Sequence, residues 1–240
     1  MRDIVTSLSA HQLFSMARQE DLRVTLCAMC KYVTGVDGYL VSHAHVLHDP
    51  TDDSPLVTPF PGTADLRIKL TSQDSVLAHL GLCVSQVYAV CESAPSTGKQ
   101  GVAATAVRLG LLARVLDAAL RHLEPRESFG KKALHHQLVK ADFSDAHDLV
   151  TRCREELALI ETGVGHAYDP GVHKEISTGF TAVSKLMGGH GFLLDGVHTI
   201  EHVASLIRAI YAPPVHFANP YSGTAASSFV PMPAMTGDTQ

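Results

Sequence analysis

Fifteen histidines in 240 residues make imidazole, which titrates near neutrality, the first side chain to consider for chemistry. The densest group is His43-Ala44-His45-Val46-Leu47-His48. Its H-x-H-x-x-H spacing would let two imidazoles on one strand face share a metal. However, Leu47 stands where metal-dependent hydrolases place an aspartate, and no Gly-Gly follows. The other reading puts His43 and His45 on one face of a strand, opposite Ser42 and Ala44, a face that is by default simply exposed and that offers general acid–base candidates if it lines a cleft. Cys27-Ala28-Met29-Cys30 is a lone C-x-x-C. If it lies in a strand its thiols point to opposite faces, which suits core packing better than zinc or a redox disulfide.

These residues must be positioned by elements of two kinds. A short amphipathic helix is expected over 5–20, with Ser7 or Ser9 as its cap and Leu13, Met16 and Ala17 on one face. From Leu22 the period falls to about two and β-branched residues appear, in LRVTLCAMCKYVTG, GYLVSHAHVLHD, SPLVTPF, ADLRIKL and LGLCVSQVYAV. This part reads as an antiparallel β-domain. In Ala106–Lys131, Leu109, Leu112, Leu116, Leu120 and Leu123 recur every three or four residues, forming one apolar stripe of a helix made to pack on other helices. Helices are expected near 99–124, 131–162, 171–188 and 197–211. The fold class is therefore α+β, with residues 1–95 a partial antiparallel β-domain preceded by a short helix, 96–211 a four-helix bundle, and 212–240 an irregular tail rich in Pro, Ser, Gly and Ala.

Composition narrows the function classes. A net charge of −5 without charge runs offers no footprint for nucleic acid or an anionic membrane surface. No apolar run approaches membrane-spanning length, and the N-terminus lacks a signal-peptide pattern, so a cytoplasmic chain is expected. Five cysteines, an odd number, read as reduced core residues.

Three groups of residues together carry a family resemblance. Lys31-Tyr32-Val33-Thr34-Gly35 followed by Tyr39-Leu40-Val41, then Arg126-x-x-Phe129-Gly130 between two long helices, then Gly188-Gly189-His190-Gly191-Phe192 with Glu201 beyond it, occur in the order and spacing of acyl-CoA dehydrogenases. The chain resembles that family over residues 22–211. The resemblance implies a middle-domain-like β-region followed by the family's carboxy-terminal helical bundle, with its amino-terminal helical domain and the first flavin-ring loops missing. It further implies that Arg126, Phe129 and Gln137 contact the pyrophosphate end of a flavin dinucleotide in a neighbouring subunit, and that Gly188, Gly189 and Gly191 let backbone approach it; the competing and preferred reading is that the arginine and glycines only hold the helix packing and the subunit interface. Lys185 stands where the family usually has Gln.

The family's glutamate base removes the α-proton of an acyl thioester. Its usual position, counted from Glu201, falls at Pro214; its minority position, counted back from Arg126, falls at Gln100. Neither side chain is a base, so the chain alone is expected not to dehydrogenate acyl-CoA. Arg108, on the helix that lines the acyl pocket in the family, could anchor a carboxylate, phosphate or carbonyl oxygen, or face solvent.

Two functions are compatible with this reading, and the first is preferred because the base and the ring-binding loops are lost together, whereas a half-site subunit needs only the interface. One is a cofactor-independent tailoring enzyme of secondary metabolism, a cyclase, dehydratase or isomerase acting on a small acyl or polyketide-like substrate with His43, His45 and Arg108 as its polar contacts. The other is a non-catalytic or half-site subunit that completes the FAD site of a full-length homologue. Either would be a homodimer or higher oligomer. No cofactor is expected in the first case, FAD in the second.

Overall fold

The computed structural model describes residues 8–59, 66–88, 98–163, 169–189 and 196–213. The chain begins with α1, Ala10–Gln19, started by a reciprocal cap: Gln12 N–H donates to Ser9 Oγ (3.2 Å) and Ser9 N–H to Gln12 Oε1 (2.8 Å). Its face of Ala10, Leu13, Phe14 and Ala17 is buried.

Residues Leu22–Thr34 form a second helix, α2, and not the expected strand. Asp21 caps it by accepting Arg23 N–H (2.8 Å), and Gly35 ends it in the left-handed conformation at φ 80°. Burial at Thr25, Leu26, Met29 and Cys30 is helical in period; the β-branched content misled the pattern reading. The Lys31–Gly35 motif is thus a helix end and not part of a hairpin. Cys27 and Cys30 now lie a helical turn apart, yet burial raises both thiols, Cys30 to about 11, so packing remains their role.

Short strands follow: β1 Tyr39–Leu40, β2 His45–His48, β3 Leu56–Val57 and β4 Arg67–Thr71, then the one-turn helix α3 Ser75–His79 and β5 Cys83–Tyr88. β2, β5 and β4 form an antiparallel sheet in that order, with His45 opposite Gln86 and His48 opposite Cys83, while β1 pairs in parallel with β3. Val46, Leu47 and Val87 face the core.

The bundle comprises α4 Gly98–Leu123, α5 Gln137–Glu161, α6 Val172–Met187 and α7 Val197–Tyr211. Between α4 and α5 lies a hairpin of β6 Glu127–Ser128 and β7 Lys131–Lys132, then a 3-10 turn over Ala133–His135, so the second long helix begins later than residue 131. In the leucine stripe of α4, Leu109, Leu112 and Leu123 are buried but Leu120 is 46% exposed. None of the described helices is long and apolar enough to cross a membrane.

Helix α4 is buried almost throughout its first four turns because α1, α6 and α7 all pack on it. A Cβ at Gly110 would lie 2.3 Å from the Phe14 carbonyl oxygen and 2.7 Å from Ala17 Cβ. Replacing Gly110 with alanine gains roughly 1 kcal/mol of helix propensity but drives side chain into backbone. The clash should win, with a net loss of about 1–3 kcal/mol in denaturant unfolding as α1 is pushed off. Glu161 Oε1 ties α1 and α2 to α5 by accepting Ala10 N–H (2.6 Å) and the Tyr32 hydroxyl (3.0 Å).

Candidate functional site

The histidine motif does not lie along one strand. Ser42 and His45 exchange backbone hydrogen bonds (2.9 and 2.8 Å) around His43 (φ 48°) and Ala44 (φ 59°), a two-residue turn with both central residues left-handed. His43 is therefore at an exposed tip, and His45 is half-buried with Nδ1–H donated back to the His43 carbonyl (2.7 Å). The expected common face is absent because the turn reverses the chain between them. Although the residue is exposed, partial desolvation of its ring, and then the neighbouring His45, hold the His43 imidazole below its usual range.

His48 is buried at the other end of β2, with Nδ1–H donated to the Asp49 carbonyl (3.0 Å). Its Nε2 then accepts, from the Ser85 hydroxyl at 2.9 Å, with Cys83 Sγ at 3.3 Å. Burial lowers the His48 imidazole and raises the Cys83 thiol, so this cluster is a satisfied interior network. The sequence reading missed it, because it depends on the β2–β5 register. Among the described residues, no three or more His, Cys, Asp or Glu side chains converge as metal ligands.

The hairpin tip docks where α4 starts and α7 ends. Gln100, 2% exposed, donates both amide hydrogens of Nε2, one to Ser42 Oγ (2.7 Å) and one to the Tyr211 carbonyl (2.9 Å). The Tyr211 hydroxyl in turn accepts Leu47 N–H (3.1 Å). The minority base position thus holds a donor locked between two oxygen acceptors. Pro214, the usual position, lies outside the described residues. Glutamate at 100 would have to stay protonated to donate there. A protonated carboxyl replaces only one of the two donated hydrogens, so Gln100→Glu should cost about 1 kcal/mol even near or below pH 4.3, the unfolded value, and progressively more as pH rises above it, by roughly a further 1–3 kcal/mol. Unfolding of variant and parent at pH 5 and 8 measures the difference.

Arg108 is neither in a cleft nor at the surface. It is 1% exposed, and Nε donates to the Ala204 carbonyl (2.9 Å), Nη1 to His173 Nδ1 (2.8 Å) and the His173 carbonyl (3.1 Å), and Nη2 to Ser177 Oγ (2.9 Å). It joins α4 to α6 and α7 and is not placed to anchor a ligand. His173, also 1% exposed, accepts through Nδ1 and is therefore neutral; burial, then Arg108 and Arg208, push it down to about 3.

The opposite end of the bundle presents the remaining candidates. Gly179 packs against both Leu112 and Leu149, while Arg108 meets His173 and Arg152 meets Glu175. Hence α4 and α6 run parallel, with α5 antiparallel to both. This brings Arg126, Phe129, Gln137, Lys185, Gly188 and Gly189 to one end, and all are exposed; Gly191 lies outside the described residues. In the hairpin, Ser128 pairs with Lys131 across Phe129 (φ 50°) and Gly130 (φ 71°). Phe129 is 96% exposed. Arg126 anchors the base of the hairpin, its N–H donating to Leu123 O (3.1 Å) and its carbonyl accepting Ala133 N–H (2.9 Å).

The architecture defines an α+β chain in which a small sheet caps a helical bundle whose far end carries an exposed aromatic and cationic hairpin. No protein-family model matches the chain, and no curated protein matches it. A solved structure that does match is a glycine-to-alanine variant of the Tcur3481-Tcur3483 steroid ACAD, at 18% identity and a TM-score of 0.45, over 69% of this chain and 50% of that one. The chain thus spans half the length of this solved structure.

Proposed function

We propose that this chain is a divergent acyl-CoA dehydrogenase-like subunit that does not abstract protons and lends its R-x-x-F-G hairpin to a flavin site held mainly by a full-length homologue. The supporting observation is Phe129. A bulky residue in the left-handed region costs roughly 1–3 kcal/mol, and at 96% exposure it recovers little of that by packing within the chain. A partner surface that takes up the ring would supply the compensation. The residues present fit such a role: a cationic Arg126 for a diphosphate, a Gln137 amide, and glycine backbone at Gly188 where an added Cβ would meet nothing within 4 Å. FAD, when bound, supplies the hydride acceptor; this chain's residues hold its diphosphate end. Locking of Gln100 by Ser42 and Tyr211 fits the same reading, since the base then belongs to the partner.

Affinity purification of the tagged chain from its native host should recover a stoichiometric full-length flavoprotein with the visible absorption of flavin. Phe129→Ala should reduce that recovery about tenfold or more, as expected of an aromatic anchor, with unchanged thermal stability. A colourless chain that recovers no such partner would overturn the proposal.

A second reading is favoured by the docking of the His43 turn on Gln100, where the dehydrogenase base is missing. The site then serves a cofactor-independent cyclase, dehydratase or isomerase acting on an acyl or polyketide-like substrate, with His43 as general acid–base. It requires a colourless oligomer that turns over acyl thioesters without flavin and stops doing so on His43→Asn.

A further inference from the structure

The hairpin that carries Phe129 is too small to hold itself. It has two residues in each strand, and isolated hairpins are marginal even when longer. Its cross-strand ion pair, Lys132 to Glu127 (3.3 Å), is about half exposed on one side and more on the other and so worth little. The turn places phenylalanine, not asparagine or glycine, at its first left-handed position. Something outside the two strands must keep the tip from relaxing.

We infer that His136 is the positioning residue that presets the Phe129 tip for its partner. His136 lies after the 3-10 turn, at the N-cap of α5, in extended conformation (φ −70°, ψ 133°). From there its Nε2 is 3.0 Å from the carbonyl oxygen of Ser128, the residue before the turn. A carbonyl only accepts, so Nε2 carries the proton and donates. The same ring stands edge-on to Phe129, with centroids 6.4 Å apart and an interplanar angle of 84°, a favoured aromatic arrangement. One side chain at the start of α5 therefore contacts both the entry to the turn and the ring at its tip. A preset ring loses less freedom on docking than one that must be ordered at encounter.

The inference rests on the hairpin being the presented element, but its test is read on the chain alone and so is separate from whether a partner is recovered. In His136→Ala, amide exchange over residues 127–132 should accelerate about tenfold while exchange in α4 and α6 is unchanged. Glutamine places an amide N–H near the position of Nε2, so His136→Gln should restore most of the protection. Phenylalanine keeps the ring edge without the donor, so His136→Phe should restore less. Unchanged hairpin exchange in the alanine variant, failure of the glutamine rescue, or acceleration spread across the bundle would each overturn the inference.

Discussion

Replacing Arg108 with alanine should lower the unfolding free energy by about 3–5 kcal/mol, through a cavity at the centre of the bundle and through unmade bonds to buried acceptors. The guanidinium supplies donors to two helices at once, reaching the Ala204 carbonyl on α7 and His173 and Ser177 on α6. Not all of these acceptors suffer equally. The Ser177 hydroxyl already donates to the His173 carbonyl (2.9 Å), whereas His173 Nδ1 accepts the Arg108 bond in a site 1% exposed. Lysine should recover only part of the loss, because one ammonium cannot reproduce a planar fork aimed in divergent directions. Since Arg108 and His173 act as one unit, a variant changed at both positions should cost less than the sum of the two single changes. A loss below about 1 kcal/mol in urea unfolding would contradict this account and reopen a ligand-binding role for the arginine.

That arginine also shows where sequence reading stops. The apolar periodicity located three of the four bundle helices to within a residue, because burial of one face repeats along the helix itself, whereas the second long helix, expected from residue 131, begins at Gln137 after the hairpin and 3-10 turn. Expected 99–124, 171–188 and 197–211 correspond to Gly98–Leu123, Val172–Met187 and Val197–Tyr211. Arg108 carries no such local mark: its burial depends on acceptors 65–96 residues away, and an isolated arginine in a helix fits a surface as well. The His48–Cys83 pairing is hidden for the same reason, since it exists only in the β2–β5 register.

Two local misreadings have different causes. For α2, the signals were present in Asp21 and Gly35, and the density of Val, Thr and Cys outweighed them. For the His43-Ala44 turn the signal was weak, because histidine alone is enriched at positive φ and the pair is none of the Asn-Gly, Asp-Gly or Gly-Gly dipeptides that such two-residue turns favour. Phe129-Gly130 lies between these cases. Glycine marks the turn, but the exposure of the ring follows from the hairpin projecting beyond the helices, which only the fold reveals.

Acidification should destabilise the chain through His173, and the sign follows from its environment. Burial, with Arg108 and Arg208 nearby, holds the folded-state value down at about 3, against about 6.5 in the unfolded chain. Above pH 6.5 both states are neutral at this site and the full stability is present. As pH falls below 6.5 the unfolded chain takes up the proton first, so stability falls by up to about 1.4 kcal/mol per pH unit. The loss continues until the folded value is reached near pH 3, where the imidazole protonates beside the Arg108 guanidinium. Between pH 6.5 and 4.5 this one group should remove roughly 2 kcal/mol. Other histidines contribute to the same profile, among them His48, also lowered by burial, so the decisive measurement is a difference. His173→Asn places an amide oxygen where Nδ1 accepts from Arg108 and cannot titrate. Its stability should therefore decline less steeply than that of the parent over pH 6.5–4.5. Parallel profiles would mean that His173 takes up a proton without opposition from the guanidinium, and the buried Arg108–His173 unit would no longer account for the cohesion of α4, α6 and α7.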